Sequence, residues 1–405
     1  MTEMETLFNP FEPGFTDDPY PAYRMLREHD PVQEHPFGFW ILSDHADVVA
    51  LLRAGHSVDA RRTSLGGAAQ EQYELLEGDG FNVLNRSMLD RDPPDHTRLR
   101  SLVSRVFTPR SIAALEPEIT ALVDAALDRM AAAGRADLVE ELAFPLPFTV
   151  ISNMLGLPPT DQVRIRDLSG RLVRSLEPVF EPEALTDISQ AGAEMTAITR
   201  ELIGWKRANP ADDLLSALIA AEDGGDRLSD DELVAQVVLL YVAGHETTVN
   251  LIANGTIALL RHPDQLALLR ERPELTGNAV EEFLRYDSPV QQTRRITLKP
   301  HVAQGREIPA GAFVIACLAS ANRDEKFWGP GADALRIDRE NARQHVAFSV
   351  GPHHCLGAAL ARLEGRVAFE RLVRRFPDLS FAGDVEWNGR INLRGPARLP
   401  VAVRA

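Results

Sequence analysis

Cysteine is almost missing from this chain: Cys317 and Cys355 are the two it has in 405 residues. Two cysteines cannot build a disulfide framework, which suits a reducing compartment and leaves stability to a large core. Long apolar runs are missing too. The most apolar stretch, 234–244, is interrupted by Gln236 and is far shorter than the roughly 20 residues a bilayer span needs. Residues 1–30 hold no apolar run and are studded with Asp, Glu and Pro, so no signal peptide is read there. No membrane insertion and a cytoplasmic location are expected. Positive charge is in deficit as well. A formal charge of −16 repels nucleic acid and anionic membranes unless basic residues cluster locally. There is no internal repeat, low-complexity tract or linker, no Gly-rich flavin or nucleotide motif, and no cysteine cluster for iron–sulfur.

What is present is mostly helical pattern. The spacing predicts short helices over 19–29 and 44–53 with an extended stretch at 37–42 between them. A long loop over 56–89, rich in Gly, Ser and polar residues, comes next. Helices are predicted at 94–107, 111–133, 148–155, 160–176 and 183–208, with Pro178 and Pro182 punctuating the last pair. The strongest helix begins at Ser229, where Ser229 and Glu232 form a capping-box pattern. Its pattern runs unbroken to residue 260 and is apolar nearly all round over 233–242, as in a helix buried through a domain. Helices over 263–271 and 275–286 follow. After Pro289 come short extended pieces at 295–298, 306–308 and 313–316, then an irregular polar stretch over 323–344. A last helix over 356–376 and terminal strands such as 388–393 complete the chain. Length alone favours two or three domains. A helical body with a small β-rich portion fits one interlocked domain, residues 1–405, better.

Residues 345–362 read HVAFSVGPHHCLGAALAR. Cys355 sits just before a helix, where free N–H groups and the helix dipole favour a thiolate. Gly351 and Gly357 flank it, allowing a tight turn and room for a flat group. Phe348 is placed to cover the sulfur, and His353 adds a donor. A small buried cysteine is the commonest reading of such a position. Zinc held by His345, His353, His354 and Cys355 is another, although no paired-ligand spacing is present and adjacent His354 and Cys355 cannot easily chelate together.

The run Phe348-x-x-Gly351-x-His353-x-Cys355-x-Gly357 resembles the heme-binding loop of the cytochrome P-450 family in its bacterial soluble form. Other segments resemble the same family, from Phe15 to the C-terminus. Ala243-Gly244-His245-Glu246-Thr247-Thr248 is similar to its oxygen-binding kink. Read from the residues, a mid-helix Gly244 costs roughly 1 kcal/mol against Ala, and a Thr247 hydroxyl can bond back to the Ala243 carbonyl. A close helix–helix contact at a small residue explains the same pattern. Glu282 and Arg285, taken alone, are an i, i+3 surface pair worth a few tenths of a kcal/mol. By resemblance they form a structural signature with Arg339 as third member. His96 and Arg100 share a helical face, and the resemblance makes them, with Arg295, ligands of the heme propionates. Ser349 stands where many members have Gly, and little consequence is expected.

The resemblance implies a mainly α fold with heme b between the long helix and the cysteine loop. Cys355 would be the iron ligand, and Ala243 and Gly244 would make room for the dioxygen cosubstrate. Thr247 and Glu246 would handle protons during oxygen insertion by hydroxylation or epoxidation. Electrons would come from NAD(P)H through a ferredoxin and a separate reductase. Arg362, Arg366, Arg371, Arg374 and Arg375 outnumber Glu364 and Glu370 on the last helix, which suggests a basic docking face for an acidic ferredoxin or simply a solvated helix face. A pocket for a medium-sized hydrophobic substrate is expected from Leu239, Val242, Ala243, Val290, Gln291 and Ile391, with Leu84, Leu172 and Leu176 near its lids. Gln291 would be its polar anchor. A monomer is expected. The alternatives are a heme carrier without turnover, a peroxide-driven enzyme, and a zinc protein.

Overall fold

The longest buried helix decides the architecture, and it is broken in the middle. The computed structural model describes residues 8–59, 62, 82–156, 159–179, 181–223 and 225–403, so most of the loop expected over 56–89 lies outside the described residues. Helix Asp230–Gly244 starts at Ser229, whose hydroxyl accepts the Glu232 N–H while Glu232 Oε2 accepts the Ser229 N–H at 2.8 Å. Every residue from Leu233 to Val242 is buried. The pattern expected to run unbroken to residue 260 stops at His245 and resumes as Glu246–Arg261. Two side chains act at the break. His245 Nδ1 lies 2.5 Å from the Tyr241 carbonyl, and Thr247 Oγ1 donates to the Ala243 carbonyl at 3.1 Å. Both are bonds to the carbonyl one turn back, which compete with the helix ladder.

The remaining helices wrap this pair. Pro182–Ala208 packs on Asp230–Gly244, and Ala358–Arg375 packs on both Glu246–Arg261 and Glu116–Ala133. The helix expected over 111–133 is two helices, Pro109–Ala113 and Glu116–Ala133. Pro117 has no N–H to continue the first ladder but is tolerated in the opening turn of the second. A turn of helix, Asn82–Asn85, stands inside the expected loop and carries Leu84.

Four short strands form the principal sheet in the order Val32–Glu34, Trp40–Leu42, Phe313–Ala316, Thr293–Ile296. The middle pair is parallel and the outer pairs are antiparallel. A three-stranded sheet joins Ser380–Phe381, Pro400–Ala402 and Arg135–Asp137. The strand expected over 388–393 is absent; strands there are Glu386–Trp387 and Pro396–Arg398. The physical reason is that the Glu177 carboxylate accepts the N–H groups of Ile391, Asn392 and Leu393 at 2.7–3.0 Å. Those donors therefore go to a side chain instead of a neighbouring strand.

Glu282 and Arg285, on helix Thr276–Tyr286, are not the surface pair that their spacing alone suggests: both side chains are 0% exposed. Arg285 donates twice to Glu282 at 2.7 Å and also to the carbonyls of Asn322, Ala332 and Ala334. Arg339 reaches the same carboxylate at 3.1–3.2 Å and the carbonyls of Gly331 and Ala334. Substituting Glu282→Gln leaves two buried guanidiniums without a counter-charge, so the chain is expected to lose about 3–5 kcal/mol of stability. Denaturant unfolding measures this, and a loss below about 1 kcal/mol would contradict the buried-triad account.

Candidate functional site

The cysteine loop is built by two backbone turns. Ser349 N–H donates to the Val346 carbonyl at 2.8 Å and Cys355 N–H to the Phe348 carbonyl at 2.9 Å. Gly351 has φ +77°, and a Cβ there would stand 2.9 Å from the Leu52 carbonyl oxygen, so glycine is required twice over. Gly357 is different. It caps helix Ala358–Arg375 with φ −80°, and a Cβ would meet only the Cys355 sulfur at 3.9 Å. The turn itself requires glycine at Gly351, whereas Gly357 leaves open space beside the cysteine sulfur. Ser349, expected to matter little, carries φ +58° and a buried hydroxyl without a partner. A left-handed L-residue costs about 1–2 kcal/mol.

Cys355 is exposed, in contrast to the buried Cys317. Desolvation pushes the Cys355 thiol up. The N–H groups of Gly357 and Ala358 and the charges of Arg100 and Arg362 pull it down. Phe348 is half-buried, with the Arg362 guanidinium 4.7 Å above its ring.

Donors converge beside the cysteine. The rings of His96 and His353 are 4.1 Å apart. Buried His96 Nε2 and Arg295 Nη2 have no hydrogen-bond partner, while Arg100 donates to the His354 carbonyl at 2.6 Å. Burial, reinforced by Arg294, pushes Arg295 down to about 10. Burial and then the neighbouring His96, Arg295 and Arg100 push His353 down to about 3. A cavity of about 190 Å³ runs between Leu52, Arg62, Asp92, Arg295 and His353. A larger hollow of about 250 Å³ lies between Arg86, Asp95 and Glu232 and touches none of the predicted site residues. Arg86 there is already paired to Asp231 at 2.5 Å. Chemistry favours the smaller cavity. Buried donors without partners mark a place for an anion's acceptors, and Arg295 and His96, with Arg100 and His353 beside them, fit the carboxylates of heme. Zinc does not fit. Among the described residues no three His, Cys, Asp or Glu gather as a metal set, and His345 is committed to Glu281 at 3.0 Å.

The helix break brings Thr247 and Glu246 to its edge, but they face different partners. Thr247 bonds Ala243; Glu246, buried, is ion-paired with Arg390 and lies 3.9 Å from His245 Nε2. Arg390 is 144 residues away in sequence, with no motif to announce it. Gly244 sits 3.4 Å, measured from its would-be Cβ, from Ile151 on helix Pro145–Met154. The close-contact reading of that glycine thus applies alongside the break.

Leu84, Leu172, Leu239 and Val242 lie in one core cluster, with Ala243, Leu176 and Val290 packed against it. Gln291 and Ile391 stand apart. Gln291 is fully enclosed beside Tyr20, its amide donating to the Ser288 carbonyl at 2.6 Å. Its amide nitrogen is thus engaged, while its side-chain oxygen has no hydrogen-bond partner. Ile391 packs with Phe8, Phe15, Tyr20 and Tyr23. The basic docking face also needs correction. Arg366, Arg371 and Arg375 pair with Glu116, Asp124 and Asp128 of helix Glu116–Ala133, and Arg362 pairs with Glu281. Interhelical pairing neutralises most of that charge.

Residues 182–381 match the family model described as Cytochrome P450. A cytochrome P450 of Bacillus subtilis (strain 168) is 40% identical over 397 residues, covering 96% of this chain and 95% of that one. The vitamin D(3) 25-hydroxylase of Pseudonocardia autotrophica is 43% identical over 411 residues, covering 99% and 97%. Among solved structures, P450BioI in complex with hexadec-9Z-enoic acid ligated acyl carrier protein superposes with TM-score 0.89. Its identity is 34%, over 96% of this chain and 99% of that one.

The two left-handed positions give opposite tests. Ser349→Gly relieves strain and is expected to raise stability by roughly 0.5–1 kcal/mol, after the entropy that glycine adds to the unfolded chain. Gly351→Ala is expected to lower it by more than about 1 kcal/mol. Thermal unfolding reads both, and a stabilising Gly351→Ala would refute the loop geometry.

Proposed function

The chain belongs to the cytochrome P450 family and is a monooxygenase of that family; from this premise we propose that Cys355 is the thiolate ligand of heme b. His96, Arg100, Arg295 and His353 would hold the heme carboxylates, and Phe348, Gly351 and Gly357 would shape the loop beneath. The observation that carries the reading is the pair of orphaned donors, Arg295 Nη2 and His96 Nε2, beside an exposed cysteine. Bound there, thiolate-ligated heme supplies dioxygen activation and favours O–O cleavage. Around it the chain's own residues orient and exclude. Ala243 and Gly244 line the break in the helix, Thr247 offers a hydroxyl one turn beyond Ala243, and Glu246 is the nearby acid that can pass protons inward.

The proposed substrate is a medium-sized hydrophobic molecule, hydroxylated or epoxidised beside the wall of Leu239, Val242, Ala243 and Val290. The vitamin D(3) hydroxylase among the relatives and the fatty-acyl ligand of the structural neighbour support that class. Leu84, Leu172 and Leu176 would border its entrance. Residues 1–405 would act as one catalytic domain, monomeric and cytoplasmic. Among the described residues no helix is long and apolar enough to cross a membrane. Electrons would arrive from NAD(P)H through a ferredoxin and its reductase, since the sequence has no flavin, nucleotide or iron–sulfur motif of its own.

Thr247→Ala separates turnover from binding. Heme content and ligand-induced spin shift should stay unchanged, while product formed per NAD(P)H falls by at least about tenfold and peroxide or water accumulates. Dioxygen uptake, NAD(P)H consumption and product are measured together on wild type and variant. Unchanged coupling removes Thr247 from the proton route, and wild-type protein that binds heme yet makes no oxygenated product from any hydrophobic compound contradicts the enzyme reading.

A further inference from the structure

Glu281 precedes the buried Glu282 on helix Thr276–Tyr286, and its own carboxylate is 2% exposed. Donor groups from two other segments close on it. Arg362 Nε and Nη2, on the last helix, donate to its two oxygens at 2.8 and 3.1 Å. From the turn before the cysteine loop come His345 Nε2 at 3.0 Å and the exposed Arg343 at 3.6 Å. His345 and Arg362 lie against the same residue. The His345 ring centroid is 5.5 Å from that of Phe348, and the Arg362 guanidinium stands 4.7 Å from it. Phe348 in turn accepts the Cys355 N–H at 2.9 Å. His345 Nδ1 accepts the Ala347 N–H at 3.1 Å, which fixes the loop one residue earlier. A chain of contacts thus runs from a buried carboxylate to the backbone of the cysteine.

Charge runs along the same path. Arg362 is one of the two cations felt by the Cys355 sulfur, the other being Arg100. Glu281 is the acidic partner of Arg362, and its negative charge offsets that cation in a poorly solvated region. Groups beyond the first ligand tune a metal through hydrogen bonding, burial and local charge.

We propose that Glu281 is a positioning residue for Cys355: it fixes Arg362 and His345 against Phe348 and cancels the Arg362 charge, so that this carboxylate helps set the reduction potential of the thiolate-ligated iron. The proposal rests on the heme–thiolate reading above. It also gives Arg362, expected from sequence to dock a partner, a different task.

The test is the midpoint potential of the heme-loaded protein by dye-mediated redox titration, with thermal unfolding recorded in parallel. Glu281→Gln leaves Arg362 uncompensated, which favours the ferrous form, so the potential should move positive. The double variant Glu281→Gln with Arg362→Gln restores the wild-type net charge, and its potential should return toward wild type. Arg362→Gln alone should move it negative, which keeps the proposal testable if Glu281→Gln does not retain heme. Loss of thermal stability without a change in potential, or equal shifts in the single and double variants, would overturn it. The reading beneath fails separately, if the wild-type protein shows no thiolate-ligated ferrous–CO band.

Discussion

A single buried carboxylate, Glu282, holds two guanidiniums, and the ordering of the cysteine loop follows from it. Arg285 carries five N–H donors, and all five find acceptors: two on Glu282 and three on the carbonyls of Asn322, Ala332 and Ala334. A buried cation is tolerated only on such terms. Because three acceptors are backbone carbonyls of the irregular stretch after the principal sheet, that stretch is fixed without regular structure. Asn322 continues the tie. Its side chain accepts the Val346 N–H at 2.8 Å and donates to Ser288. The loop leading to Cys355 is thus hung from helix Thr276–Tyr286 by polar contacts at both of its adjacent glutamates.

Satisfaction there contrasts with frustration elsewhere. Arg295 and His96 are as deeply buried as the triad, yet each leaves a nitrogen without an acceptor. Burial and the neighbouring arginines push the pKa values of His96 and His353 down, so the positive charge there rests on Arg100 and Arg295. A fold that meets every donor of Arg285 and leaves these unmet marks a place where a ligand's acceptors would serve. The carboxylates of the proposed heme would supply the missing acceptors, and their binding energy would offset the cost of leaving these donors unmet.

Local signals were legible in the sequence because their physics is local. Ser229 and Glu232 announced a helix start and Gly351 a position closed to side chains, whereas the residues around Cys355 pointed to a cofactor loop only through their resemblance to a family motif. Thr247 was readable as a back-bonding hydroxyl, although the break it accompanies also needed His245, which carried no separate signal. Long-range pairing was illegible. Arg390 meets Glu246 across 144 residues, and Glu177 takes three N–H groups from residues 391–393, turning an expected strand into a loop. The arginines of the last helix looked like a docking face because Glu116, Asp124 and Asp128 reveal themselves as partners only once two helices are packed. Glu282 and Arg285 taken alone read as a surface pair for the same reason, since spacing gives the contact and tertiary packing its burial; only the resemblance pointed to a structural network with Arg339, which pairs with the same carboxylate.

The central claim is that Cys355 ligates heme iron as a thiolate within this preformed loop. An absorption spectrum of the dithionite-reduced protein under carbon monoxide tests it most directly. The account predicts the strongly red-shifted Soret band of a thiolate-ligated ferrous–CO heme. A band typical of histidine-ligated or thiol-ligated heme, or no heme at all in protein made with ample iron and heme precursor, would contradict it.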